Sequence, residues 1–261
     1  MNRQPQTAAP LLDGVPNGGG NWIARAGPDG GIHGDIDGDI DGGIRAPEAE
    51  HHRPLKILIL ALNSAPELVG AGKATGEMAA WLAGRGHRVE VIAAPPYYPG
   101  WQVAEGYSAA GYRRELQDRV SVVRCPTYVP RRPTGVRRVL HHLSFAISSL
   151  PAVVGRALAG RPDVVLTVAP SILAAPNAWL AARLSGAAAW LHVQDLELDA
   201  AVELGLLGPR RRHGWAAALE TRLLRRFDRV TTIGPGMAAR LADKGVDPMH
   251  LGVLANWVDC G

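Results

Sequence analysis

Periodic placement of apolar residues starts abruptly at Leu55 and continues almost to the end of the chain. Residues 55–62 form an apolar run interrupted only by Lys56, the mark of a strand buried on both faces. A loop containing Gly70 and Gly72 follows, and then a helix whose inward stripe is Thr75, Met78 and Leu82. Gly86 stands just past that helix, where a left-handed residue closes the last turn at no steric cost. Residues 89–94 predict the second strand, so 55–94 reads as one βαβ unit.

The alternation goes on. Residues 120–124 read as a short strand, 134–158 as a long helix with a bend expected near Pro151, and 164–168 as a strand. Helices over 171–184, 211–226 and 236–244 then alternate with strands over 188–193, 230–233 and 250–254. Trp215, Leu219 and Leu223 share one face of the second of these helices, and Gly245 stops the third. Strands alternating with helices through short loops predict an α/β fold: a doubly wound, mostly parallel, Rossmann-like sheet. Ligands of such sheets bind beyond the carboxyl ends of the strands, so the residues just after each strand carry the functional information.

Residues 1–54 differ in kind. They are rich in Gly, Pro and Asp, lack either periodicity, and read as a disordered extension. Asp37, Asp39, Asp41, Gly42, Ile44 and Glu48 fall at the spacing of a calcium loop. Glycines before it and Pro47 and Pro54 after it remove the flanking helices such a loop needs, so no metal site is expected. The extension has no apolar run of signal-peptide length. Elsewhere the nearest approach to a membrane-spanning stretch, 143–159, is interrupted by Pro151 and Arg156.

Charge divides along the same line. The first 54 residues carry four Arg against eight acidic residues, whereas the rest carries 24 basic against 16 acidic, for a net charge of +4. A basic body favours anionic partners: phosphorylated substrates, anionic lipid surfaces or nucleic acid. Cys125 and Cys260 match no metal-ligand spacing and read as two reduced thiols in a cytosolic protein.

Three constellations bear on chemistry. After the first strand, Gly70 and Gly72 at a helix N-terminus would let backbone N–H groups approach a phosphate, or merely permit a turn; Lys73 follows them. A nicotinamide site is excluded, because Gly70 lies eight positions past Leu62 and the second strand runs into Pro95-Pro96-Tyr97-Tyr98-Pro99 rather than an acidic residue. After the strand at 188–193 stands His192-Val193-Gln194-Asp195-Leu196-Glu197-Leu198-Asp199. Its carboxylates can bind sugar hydroxyls or take a proton from an attacking hydroxyl, or they can form a solvated acidic loop.

The third is basic and amphipathic. Arg131, Arg132, Arg137 and Arg138, with His141 and His142, open a helix whose apolar positions Val136, Leu140, Leu143, Ile147 and Leu150 recur at three-to-four spacing. Such a helix can lie in a membrane interface with Arg on lipid phosphates, or pack its stripe on the sheet with Arg in water. Nucleic acid is not an expected partner, since no aromatic stacking surface is interleaved with the arginines.

The segments Pro66-Glu67-Leu68-Val69-Gly70-Ala71-Gly72-Lys73, Gly86-His87-Arg88-Val89, Ala94-Pro95-Pro96-Tyr97-Tyr98-Pro99 and His192-Val193-Gln194-Asp195, in this order, resemble the N-terminal half of the colanic-acid biosynthesis glycosyltransferases. These are relatives of the large retaining family of GT-B glycosyltransferases, and Asn256-Trp257-Val258-Asp259 resembles that family's crossing between its two domains. The resemblance implies an acceptor domain over 55–258 and the start of the crossing over 259–261, with the donor domain expected to be absent from this chain. It implies Gly70, Gly72 and Lys73 near the donor diphosphate, and Asp195 and Glu197 as the catalytic carboxylates. Glu67, Tyr97, Tyr98, His192, Gln194 and Asp199 would bind the acceptor. The expected partners are a nucleotide-sugar donor, used as substrate with no cofactor or metal, and a saccharide or lipid-linked acceptor of exopolysaccharide assembly. A separate polypeptide carrying the donor domain, and the anionic inner face of the cytoplasmic membrane, complete the expected partners of a cytoplasmic protein that is inactive alone. The competing expectation is a non-enzymatic module that binds the acceptor or lipid.

Overall fold

The apolar runs become the middle strands of one sheet. A computed structural model describes residues 53–170, 172–195 and 211–256. The strands are β1 (Lys56–Ala61), β2 (Arg88–Ala93), β3 (Arg113–Gln117), β4 (Val120–Arg124), β5 (Val164–Ala169), β6 (Ala188–Val193), β7 (Arg229–Thr232) and β8 (Leu251–Val253). They lie in the order β3-β4-β2-β1-β5-β6-β7-β8. Every neighbouring pair is parallel except β3 with β4. The strand order reverses at β1, which has β2 on one side and β5 on the other, and the crevice beyond such a switch point is where these sheets hold ligands.

The helices are α1 (Gly70–Gly84), α2 (Gly135–Gly160), α3 (Ala175–Ser185), α4 (Arg211–Leu224) and α5 (Pro235–Asp243). Right-handed crossovers put α1 on one face of the sheet and α2 with α3 on the other. On the α2/α3 side, Leu58, Leu60 and Ile92 of the sheet pack against Phe145 and Val153 of α2 and Ala178 of α3. α1 turns Met78, Ala79 and Leu82 inward, and Gly86 follows its end with φ +88°, as the sequence predicts. Asn177 Nδ2 ties α3 to α2 through Ala146 O (2.6 Å) and Ser149 Oγ (3.2 Å).

Two features depart from expectation. β3 has no apolar pattern, and its residues are exposed or half-buried; it forms because Asp118 and Arg119 both take positive φ (46° and 66°) and turn the chain into a two-residue hairpin onto β4. The second departure concerns α2. Its buried residues are His141, Phe145, Ala146, Ser149, Val153 and Ala157, while the apolar stripe from Val136 to Leu150 faces outward. α2 runs through Pro151 as one helix and, by length and composition alone, is apolar enough to cross a membrane, contrary to the reading of that stretch as interrupted. The extension before residue 53 with its calcium-loop spacing, the residues Glu197 and Asp199, and the expected start of the crossing at 259–261 lie outside the described residues.

Candidate functional site

On one side of the switch point the carboxyl edge is cross-braced by charge. Glu67, in the loop after β1, is buried. Its Oε1 accepts from the backbone N–H groups of Tyr97 and Tyr98, each at 3.0 Å, and its Oε2 accepts from Asn63 Nδ2 at 2.9 Å. Arg124 ends β4 with its side chain fully buried. Its Nε donates to Glu115 Oε1 of β3 at 2.7 Å, its Nη1 to Ala94 O at 3.1 Å, and its Nη2 to Ala65 O. One guanidinium thus holds the exits of β1 and β2 and the edge strand. Burial raises the pKa of Glu67 above the ordinary carboxylate value, against the opposing pull of its three hydrogen bonds and of Arg124. Sequence reading missed Arg124; the available signal was a charged residue closing an otherwise apolar strand.

This bracing reassigns several expected ligand residues. A Cβ on Gly72 would stand 2.7 Å from Glu67 Cβ, so the absent side chain makes room for that carboxylate rather than for a phosphate. Tyr97 lies in the core, its ring 4.5 Å from His141 and 5.3 Å from Trp101, so it supports the edge from beneath. Lys73 pairs with Glu77 at 3.6 Å on the solvated side of α1. Gly70 and Tyr98 remain at the rim: Gly70 is exposed with φ +59°, and Tyr98 Cε1 lies 3.7 Å from where its Cβ would be. The first turn of α1 has no acidic residue and no side-chain cap, which leaves its N–H dipoles able to receive an anion.

The other side is held by neutral groups. His192 is 2% exposed, and its Nδ1 lies 3.0 Å from Thr231 Oγ1, which also accepts from Trp190 Nε1 at 2.8 Å. Burial lowers the His192 pKa to about 4, so the imidazole is uncharged at neutral pH. His192 therefore positions the end of β6. Thr232 Oγ1 adds a bond to Val193 O at 2.7 Å, and Gln194 N–H donates to Ala169 O at 3.2 Å. Beyond this, Gln194 is half-buried and Asp195 is exposed. Among the described residues no three His, Cys, Asp or Glu side chains converge as metal ligands. Cys125 is buried, its thiol pushed up to about 12 by burial, and it is no nucleophile.

The edge therefore offers Gly70 and Tyr98 on one side of the switch point and Gln194 and Asp195 on the other. A family model described as glycosyl transferase 4-like domain matches residues 69–257, which contain all four. The chain belongs to the glycosyl transferase 4-like family. A colanic acid biosynthesis glycosyl transferase of Escherichia coli (strain K12), WcaI, is 45% identical over 208 residues, which are 78% of this chain and 50% of that protein. The chain spans about half the length of that curated relative.

Solved structures of the same fold include the catalytic domain of starch synthase IV from Arabidopsis thaliana bound to ADP and acarbose. It aligns with a TM-score of 0.51 and 16% identity over 78% of this chain and 52% of that one. The sucrose-phosphate synthase from Thermosynechococcus elongatus aligns with a TM-score of 0.53 and 12% identity, over 77% and 48%. At such identities these two speak for the fold alone. The sheet is a Rossmann-like domain of GT-B type.

Proposed function

We propose that this chain supplies the acceptor-side wall of a retaining, two-domain glycosyltransferase that passes a sugar from a nucleotide-sugar donor to a growing exopolysaccharide or lipid-linked acceptor. The observation that carries the reading is the 45% identity over 208 residues to the colanic acid biosynthesis glycosyl transferase. In this reading the acceptor hydroxyl lies along the exit of β6, where Asp195 accepts its hydrogen bond and Tyr98 and Gln194 flank the sugar. The exposed N-terminus of α1 at Gly70 faces the donor diphosphate. A new glycosidic bond forms at the anomeric carbon as its bond to the diphosphate oxygen breaks. The hydroxyl proton passes to the Asp195 carboxylate while the diphosphate departs as the anion, so the step needs neither cofactor nor metal.

Glu67, Arg124, Tyr97, Gly72 and His192 are assigned the task of holding these loops in place. Stabilising charge on the departing nucleotide requires fixed donors in a dry cleft. We assign those donors to the length of the curated relative that this chain does not span, supplied as a further domain or as a separate polypeptide. By itself the chain is then inactive. Transfer by a chimera of this chain with that portion of WcaI tests the reading. A folded, nucleotide-binding chimera without transfer would favour a non-enzymatic acceptor-binding module.

A further inference from the structure

Sugar transfer leaves the outer face of α2 unused. Val136, Leu140, Leu143, Ile147, Leu150 and Leu158 are 73, 48, 43, 65, 38 and 52% exposed. At 100° per residue they fall within about 40° of one line along the helix, and at 1.5 Å per residue the helix is about 39 Å long. This is a continuous apolar stripe, not scattered surface leucines. α2 contains no acidic residue. Its N-terminal end carries Arg131, Arg132, Arg137 and Arg138, all exposed, and among the described residues none of the four pairs with a carboxylate. Arg137 reaches back to Arg132 O at 3.4 Å, and Arg138 lies 5.5 Å over the ring of Trp101, which follows β2. The basic cluster thus sits at the same sheet edge as Tyr98 and Gly70.

Apolar side chains in a helix-long row beside guanidinium groups that meet no carboxylate among the described residues match the boundary between headgroups and acyl chains of an anionic bilayer. Pairing of two copies stripe to stripe would bury the leucines but leave eight arginines without counter-charges. We propose that the outer face of α2 docks the protein on an anionic lipid surface, with the arginines on headgroup phosphates and the stripe at the acyl boundary. Docking brings the ligand edge of the sheet to the lipid surface. The proposal rests on exposure and charge, and it stands whether or not the chain takes part in sugar transfer.

Co-sedimentation of the full chain with vesicles tests it. The protein should pellet with mixed phosphatidylglycerol and phosphatidylcholine vesicles at low salt, pellet poorly with phosphatidylcholine alone, and be released by salt. Replacing all four arginines with Gln should lower partitioning at low salt about 1000-fold. Leu140→Gln, Leu143→Gln and Ile147→Gln together should also abolish pelleting while leaving the melting temperature close to wild type, because these residues are already in water. Absence of pelleting at low salt overturns the proposal, as does pelleting indifferent to the triple substitution or equal on both lipids. A triple variant that fails to fold would place the stripe inside the molecule and overturn it too. Sedimentation velocity separates the remaining occupant: a stripe-dependent dimer that ignores vesicles contradicts lipid docking.

Discussion

The two sides of the carboxyl edge are held together by opposite means. Around β1, β2 and β4 the support is ionic, with buried Arg124 bonded to Glu115 and to two loop carbonyls, and Glu67 gripping the second loop. Around β6 and β7 the support is neutral: an uncharged His192, Thr231 and the indole of Trp190. The difference teaches that a polar residue after a strand can be a brace or a ligand group, and that burial separates the two. It also gives the sides opposite responses to acid. The raised pKa of Glu67 means the native protein holds a proton that the unfolded chain releases, so falling pH favours the native state through that window. The lowered pKa of His192 means the unfolded chain takes up a proton that the native protein refuses, so falling pH below about 6.5 favours unfolding.

Breaking the ionic side should have the largest effect. Arg124→Met leaves Glu115 without its buried partner and two loop carbonyls unanswered, and should cost about 3–5 kcal/mol in urea denaturation. A loss below about 1 kcal/mol would mean the loops hold themselves.

The neutral side should show itself in pH. With His192 titrating near 4 when folded and near 6.5 when unfolded, stability should fall by about 2 kcal/mol on its account between pH 7 and pH 5. His141 and His142, both lowered by burial, add in the same direction. His192→Gln should flatten the profile by its share; an unchanged slope would show that His192 is not the buried neutral group described.

The smallest effect sharpens the boundary between brace and ligand. Gly72→Ala should cost about 1–3 kcal/mol through overpacking against Glu67, and less than that once Glu67→Ala has emptied the space. Equal cost in both backgrounds would separate Gly72 from Glu67.

The sheet was legible because buried parallel strands such as 55–62 and 164–168 announce themselves as apolar runs, and Gly86 and Gly245 stop helices where backbone φ turns positive. β3 was not, because an exposed edge strand has no apolar signature and its turn uses Asp118-Arg119 in place of the Asn-Gly or Asp-Gly that marks such hairpins. Periodicity gave α2 two faces but could not say which one turns inward. The inner face packs on aromatic rings and on the small residues of α3, so it takes His141, Ser149 and alanines, and the larger aliphatic residues stay outside. The carboxyl edge of the sheet was legible as a place, but the bracing within it was not. The bond from Glu67 to Tyr97 crosses 30 residues, that from Arg124 to Ala65 crosses 59, and neither leaves a local pattern.

The most direct test of the central claim is sugar transfer by this chain joined to the portion of WcaI that it does not span. Labelled nucleotide sugars are supplied with saccharide and lipid-linked acceptors, and product formation is measured. The account predicts no turnover by the chain alone and turnover by the chimera. It also predicts that Asp195→Asn lowers kcat at least about 10-fold with little change in the KM for the nucleotide sugar. Turnover by the chain alone, or a folded chimera that binds the nucleotide sugar and transfers nothing to any acceptor, would contradict it.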